Sequence, residues 1–414
     1  MRKKSTLGNE KSRACWEGLE DLVRARIQGW IQDLLEEEVT EFLGRGKYER
    51  REAIESASGS RNGHGKPRKV TLSCGGITVR RPRVRDAEER FESRLLPLFQ
   101  RRTKAVNELI PELYLHGLAE GDFDLALRGL LGDDAPISAS TVGRLKQKWQ
   151  GEFEEWSSRP LDGLDVVYLW VDGIYVKAGL EKEKAALLVA IAALSDGRKV
   201  VVAIQPGHRE STESWSSFLR DLKGRGMNVP QLVIGDGNLG IWGGLRSVYP
   251  DAEEQRCWNH KTRNVLDKLP KKLQSEAKLR LSRVVYAAST EEAGREKSRF
   301  VKWCRERSQE KAASALDRNW EEMLTFFKYP QEHWRHIRTT NPVESPFASV
   351  RLRTNAAKRF KKVENATAVL WKMLMIAERR FKRLKAPGLM KQVFEGVVFV
   401  DGKQEDVDKQ THAA

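Results

Sequence analysis

Two apolar, β-branched runs in this chain each stop on an Asp-Gly pair: LWVDGI ends its run at Asp172, and VIGDGNLG, residues 233 to 240, ends its run at Asp236. Such a run reads as a buried strand punctuated by glycine, so two carboxylates stand at the carboxyl ends of two strands. Taken singly, each also matches a plain Asp-Gly turn between strands. As a pair they say more. Side chains of an open α/β sheet converge in the crevice beyond its strand ends, and hard oxygen donors gathered there suit Mg²⁺ or Mn²⁺.

The chain has 414 residues, room for two or three domains, and its 40% hydrophobic and 32% charged content is that of an ordinary soluble protein. Its 74 Lys and Arg against 58 Asp and Glu leave a formal charge of +16. A surface of that sign gains affinity by displacing counterions from a polyanion, which points to nucleic acid; ribosomal and membrane-surface proteins share the balance. Cys15, Cys74, Cys257 and Cys304 form no Cys-x-x-Cys pair, so neither a disulfide framework nor a full zinc knuckle is visible. The first residues lack an apolar signal core, and the longest apolar run, Ala185 to Leu194, is too short to span a bilayer. The expectation is a cytoplasmic, nucleoid-associated protein.

Residues 1–60 are expected to hold an amphipathic helix from Leu19 to Phe42, packed on its own domain or used for dimerisation. Residues 61–102 read as a basic hairpin, with strands over Lys69–Leu72 and Ile77–Arg80 around a Cys-Gly-Gly turn; Arg61, Lys66, Arg68 and Arg81 are candidate DNA contacts or simply a solvated face. Residues 103–160 alternate short helices with turns. The last of these, capped by Ser138 or Ser140 and carrying Arg144, Lys146 and Lys148, resembles the basic helix of a helix-turn-helix.

Beyond Pro160 the composition shifts. Residues 161–258 are expected to form three strands (Asp165–Asp172 continued by Ile174–Lys177, Ala185–Leu194, Lys199–Gln205), a helix over Thr212–Gly224, a strand over Gln231–Asp236 and a helix over Leu239–Tyr249. Residues 259–330 are charged and helical, and no strand signal appears there. The sheet domain resumes over residues 331–390 with HWRHIRTTNPVES and two basic helices, and residues 391–414 are a tail, polar and frayed from Asp401.

A third carboxylate, Glu344, lies in TTNPVES. Asn341 as helix cap, Pro342 in the first turn and Glu344 three residues after the cap make a reciprocal capping pattern. Pro346 opposes that register by removing an early helical donor, so the helix is expected to start nearer Ser345 with Glu344 at its mouth.

The order Asp172, Asp236, Glu344, set in VDGIYVK, VIGDGNLG and IRTTNPVES, resembles the DDE transposases of the Mutator type found in bacterial insertion sequences. The resemblance runs on through HRESTESWSSFLRDLKGRG, YPDAEEQRCWNHKTRNVLDKLPK and SRNGHGKPRK, covering roughly residues 15 to 385. It implies an α/β, ribonuclease-H-like catalytic core interrupted by an all-helical insertion, plus an N-terminal, mainly helical DNA-binding region. The spacings agree: 64 residues separate the aspartates and 108 separate Asp236 from Glu344, which leaves room for the insertion. The family's Cys-x-x-His element falls on Cys257 and His260, which read as site-supporting residues and as half a zinc site at most. The chain departs from the family pattern at Ser345 and Pro346, where a basic residue is expected after the glutamate.

What the resemblance implies chemically is a pair of Mg²⁺ or Mn²⁺ ions held by Asp172, Asp236 and Glu344, activating water for strand cleavage and then the freed 3′ hydroxyl for strand transfer. Arg209, Arg351, Arg353, Lys358 and Arg359 are well placed in sequence to hold phosphates around this site, the last four following Glu344 closely; His208 and His336 read as polar fold residues. The implied partners are terminal inverted repeats, target DNA and a second copy of the chain. Two other readings share the same residues: a ribonuclease-H-like nuclease or resolvase without strand transfer, and a DNA-binding regulator with a decayed core.

Overall fold

A computed structural model describes residues 18–49, 59–118, 122–131, 139–179, 184–207, 209–237 and 239–405. Cys15, Ser138, the Ser140 side chain, His208 and the tail beyond residue 405 lie outside the described residues. Two compact units, Met1–Leu145 and Lys146–Ala414, divide within one helix.

In the first unit, α1 (Leu19–Leu43) buries Leu35, Val39 and Leu43, while Leu22, Val23 and Trp30 nearer its start stay exposed. Four short strands follow: β1 (Ser60–His64), β2 (Arg68–Leu72), β3 (Gly75–Val79) and β4 (Pro82–Arg85). The expected hairpin is β2 with β3, in register from Arg68 opposite Val79 to Leu72 opposite Gly75. The separate β1–β4 pair was not legible because SRNGH and PRVR carry almost no apolar alternation. Leu35 packs with Val70, Ile77, Val79 and Leu96 in a small core. Gln28 and Gln32 of α1 accept hydrogen bonds from the Thr78 and Arg80 amides, both at 2.9 Å, satisfying donors of the β3 edge that would otherwise invite pairing with another chain. The helices α2 (Lys104–Leu115) and α3 (Phe123–Leu131) precede α4 (Ala139–Ser157), in which the unit boundary falls.

The second unit is built on a five-stranded sheet of β5 (Val166–Val176), β6 (Ala185–Leu194), β7 (Lys199–Gly207), β8 (Leu232–Gly235) and β9 (Glu253–Arg256), in spatial order β7-β6-β5-β8-β9. β6 is antiparallel to both β5 and β7, whereas β8 and β9 run parallel to β5, so β5, β7, β8 and β9 all end at one edge. Successive residues of a strand face opposite ways. Leu169 and Val171 therefore join the core shared with Trp215, Phe218 and Leu222 of α5 (Thr212–Gly224) and Trp242 and Leu245 of α6 (Leu239–Val248). Tyr168 and Trp170 face the other layer, where the Tyr168 hydroxyl meets His333 Nδ1 at 2.9 Å and Trp170 Nε1 donates to the His336 carbonyl at 3.0 Å.

The glycines of α6 let it approach α5 closely. A Cβ at Gly240 would lie 2.4 Å from the Glu210 carbonyl oxygen and 3.0 Å from the Thr212 nitrogen, and backbone cannot swing aside as a side chain would. Gly240→Ala is therefore expected to destabilise the second unit by about 2–3 kcal/mol, lowering its Tm by roughly 5–10 °C in a thermal melt. A melt unchanged within a degree would contradict this packing.

After β9 come α7 (Trp258–Leu266), α8 (Lys271–Val285), α9 (Thr290–Glu306), α10 (Glu310–Asp317) and α11 (Glu321–Leu324), the expected helical stretch. The chain then returns over the Tyr168 face, not as a strand but as 3₁₀ turns at Thr325–Lys328 and Gln331–His333 and the short α12 (Trp334–Ile337). It continues into α13 (Asn341–Ala356), α14 (Val363–Glu378) and α15 (Gly388–Phe394), and ends in a two-residue-per-strand hairpin of β10 (Phe399–Val400) and β11 (Lys403–Gln404). Residues 401–404 are thus ordered where fraying was expected, because Asp401 accepts from both Thr290 N and Oγ1 at 2.8 Å and the Gly402 backbone bonds Phe327 and Gln331. No helix among the described residues is long and apolar enough to cross a membrane.

Candidate active site

The β5–β8 register decides where the two aspartates meet. Tyr168 pairs with Leu232, Leu169 with Val233 and Trp170 with Ile234, a constant offset of 64 residues. Asp172 and Asp236 have the same offset, so Asp236, just past the end of β8, follows the ladder at the sheet edge where Asp172 lies in β5. Asp172 shares the parity of Tyr168 and Trp170 and so belongs to the face over which the chain returns after the helical stretch.

That return brings in Glu344. α13 begins at Asn341, earlier than Pro346 led us to expect, with Pro342 in its first turn and Glu344 in the same turn. A proline this close to the helix start removes one early donor and leaves the rest of the ladder intact. Thr340, not Asn341, holds the cap position; its hydroxyl bonds the Glu344 carboxylate and lies 3.1 Å from Cys257 Sγ, which also accepts from the Thr340 amide at 3.3 Å. Trp258 N donates to the Arg338 carbonyl at 3.0 Å and Asn259 Nδ2 to Asn341 Oδ1 at 2.8 Å. The start of α7 is thus stitched to the start of α13, and β9, hydrogen-bonded to β8, fixes both against the sheet edge that carries Asp236.

The electrostatics record the convergence. Asp172 is only 8% exposed, and burial pushes its carboxyl up to about 7; the negative charges of Asp236 and Glu344 add to the shift, while the Gly173 amide, 2.8 Å from Oδ1, and His260 oppose it. His260 is pushed the other way, up to about 9, chiefly by the Cys257 sulfur beside it and then by Glu344 and Asp236, with burial opposing. His260 Nδ1 lies 3.9 Å from Glu344 Oε1, is buried, and has no hydrogen-bond partner. Donor atoms of Cys257, His260 and Glu344 all fall within 4.8 Å of one another. Glu344 therefore shares a close group of sulfur, nitrogen and oxygen donors with Cys257 and His260, and its charge also reaches Asp172.

Glu210 was not anticipated. It follows the end of β7, on the same edge as Asp172 and Asp236, and its carboxylate presses on Gly173, where a Cβ would lie 2.3 Å from Oε1. Its charge also raises the Tyr175 phenol, after burial. The available signal was its position just past a strand that ends where the aspartates do.

The cations expected to contact DNA divide by environment. In the first unit, Arg61 donates to Thr40 Oγ1 at 2.7 Å, Arg68 to the Pro97 and Gln100 carbonyls, and Arg81 to the Phe91 carbonyl at 3.1 Å, so these guanidinium groups tie the hairpin region together. Lys66 and Arg144 are exposed there. In the second unit, Lys146 is half-buried, Lys148 pairs with Glu152 at 3.6 Å, and Arg209, Arg351 and Lys358 are exposed. Arg359, also exposed, donates to the Gly179 carbonyl at 3.0 Å. Arg353 departs from expectation: it is 2% exposed, because its place on α13 turns it inward beside Val350, and it presents no charge to a phosphate at the surface.

The profile described as "Transposase, Mutator family" matches residues 2–383. The transposase for insertion sequence element IS6120 of Mycolicibacterium smegmatis is 44% identical over 303 residues, covering 72% of this chain and 92% of that protein. The transposase for insertion sequence element IST2 of Acidithiobacillus ferrooxidans is 39% identical over 294 residues, 70% of this chain and 99% of that one. A more distant relative, the transposase for insertion sequence element IS256 in transposon Tn4001 of Staphylococcus aureus, is 26% identical over 348 residues, 83% and 87% of the two chains. With the profile spanning nearly the whole sequence and two such relatives above 30% identity, the chain belongs to the Mutator family of transposases.

Proposed function

We propose that this transposase cleaves and joins DNA strands at Asp172, Asp236 and Glu344, on a ribonuclease-H-like core. The sheet order β7-β6-β5-β8-β9 with β6 alone reversed, and a helical stretch inserted between β9 and the helix of the third acid, support that fold. One observation carries the chemistry: Asp172 is buried and lies within reach of the charges of both Asp236 and Glu344. Three carboxylates gathered in one partly buried place repel one another unless a cation joins them, and the donor set fits Mg²⁺ or Mn²⁺. Two such ions, when bound by these carboxylates, supply Lewis-acid stabilisation of the phosphoryl transfer and a nucleophile at neutral pH.

The chain's own residues do the rest. Asp172 holds its oxygens inside β5, which runs on to Val176, Asp236 lies just past the end of β8, and Glu344 completes the set from the first turn of α13, where Thr340 bonds its carboxylate. Cys257 positions Thr340 and thereby Glu344. Water attacks phosphorus, the bond to the 3′ oxygen breaks, and a 3′ hydroxyl and a 5′ phosphate result. That hydroxyl then attacks a target phosphodiester, exchanging one ester for another without a covalent protein intermediate. Arg209, Arg351 and Lys358 are exposed cations of the second unit that would hold strands near the acids, and Lys66 and Arg144 are exposed cations of the first that would contact DNA bound by that unit. Two copies of the chain would pair two element ends.

The full chain, with Mg²⁺, should nick a plasmid carrying the ends of its element and yield joined products. Asp236→Ala should lower nicking on the order of a thousandfold while a gel shift with the same DNA stays unchanged. Undiminished nicking by this variant would end the assignment.

A further inference from the structure

Beside Asp236 lies a cavity of about 430 Å³ whose lining includes Gly237, Arg256, Lys261, Lys268, Arg318 and Asn319. Four cations line it, against the single acid Asp267. Arg256 ends β9 and is 7% exposed. Its guanidinium is held on one side by Asn319, whose Oδ1 accepts from Nη1 at 3.0 Å, and lies 5.5 Å from the centre of the Trp242 ring. Its Nε, though buried, has no hydrogen-bond partner. A Cβ on Gly237, the residue directly after Asp236, would be 3.9 Å from Nη1, so the guanidinium reaches to the edge of the catalytic acids.

The charges facing this space do not cancel. Lys261 meets Arg256, Arg318 and Lys297, with Glu322 opposing them. Arg256 meets Glu322, Glu254 and Asp236, but Glu254 already accepts from Nε and Nη2 of Arg246, at 2.7 and 2.9 Å. The lining thus keeps an excess of positive charge, which an anion entering the cavity would offset.

We propose that this cavity binds a backbone phosphate of the DNA strand that runs through the active site, with Arg256 as its buried anchor and Lys261 and Arg318 at its mouth. This rests on the catalytic reading above and deepens it: the helical stretch, through α7 and the Arg318-Asn319 turn after α10, helps to grip the substrate next to the point of cleavage. Arg256 ends β9 opposite Gly235 in the β8 ladder, so a phosphate seated here has its neighbour at Asp236. Phosphate contacts of this kind fix the position of a strand and carry no sequence information.

The test uses the full chain and a 40-base-pair duplex in chelator, so that no strand is cut. Lys261→Gln and Arg318→Gln should each weaken binding roughly fivefold at 0.15 M salt and reduce the slope of log affinity against log salt by about one, whereas Lys261→Arg keeps both. In the unmodified chain, the duplex should also protect Lys261 from acylation, read by mass spectrometry. Unchanged slopes in both neutral variants, with Lys261 acylated equally with and without DNA, would overturn the proposal. Because nothing is cleaved in this assay, its failure leaves the three acids untouched, and failure of the Asp236→Ala nicking test leaves the cationic cavity standing.

Discussion

Asp172→Asn is expected to abolish strand cleavage and, in the same molecule, to raise the stability of the metal-free protein above pH 7. Burial and two neighbouring acids hold the Asp172 carboxyl at about 7, far above the ordinary aspartate value near 3.8. A folded-state value above the unfolded one means the fold prefers the protonated acid. The stability this confers is full below about pH 4, declines as pH rises, and is gone above about 7. Three units correspond to on the order of 4 kcal/mol. Asparagine keeps the position neutral at every pH and avoids that loss. In chelator at pH 8 the variant should melt several degrees above the parent, the gap should close near pH 4, and Mg²⁺ should raise the Tm of the parent alone. A variant melting at or below the parent at pH 8 would mean that Asp172 is not held against its ionisation by its surroundings. The conflict is the one expected of an active site: a group placed for chemistry at a cost to the empty fold.

Glu344→Gln should be as damaging to activity with little effect on the fold. Its amide oxygen can still accept from the Thr340 hydroxyl, so that contact survives, while the charge that completes the carboxylate set is lost. We expect single-turnover nicking to fall on the order of a thousandfold or more with DNA affinity and Tm nearly unchanged. Retained cleavage would place the third ligand elsewhere, with Glu210, against Gly173, as the next residue to replace. Cys257→Ser keeps a hydrogen-bonding group toward Thr340 and should therefore retain more nicking activity than Cys257→Ala; equal loss in both would argue that the sulfur binds metal instead of positioning α13.

Much of the second unit was legible in advance. Ala185–Leu194 and Thr212–Gly224 have the bounds their patterns predict, since a ten-residue apolar run and a capped amphipathic stretch each admit few alternatives. β5 was read as interrupted after Asp172, but it runs unbroken to Val176 because β6 pairs with it residue by residue through Gly173. β9 was invisible: EEQR has no apolar alternation, and it is a strand only because β8 offers a ladder and its polar side chains find partners, Gln255 with Met323 and Phe326 and Glu254 with Arg246. Around the site, Asp172 and Asp236 were visible as strand ends and Glu344 through its motif. Arg256 was not, since nothing in EEQR marks a side chain that tertiary folding will bring beside Gly237, and Glu210 carried only the signal of its place just past β7.

The amino-acid sequence by itself determined most strands of the second unit and the 64-residue spacing of the two aspartates, because those follow from short-range pattern. Only the tertiary structure decided which cations would be buried, which strand would form from charged residues, and how the start of α13 would be held against α7. Those outcomes depend on contacts between segments about 80 residues apart, such as Cys257 with Thr340, and such contacts leave no periodic trace in the chain that makes them.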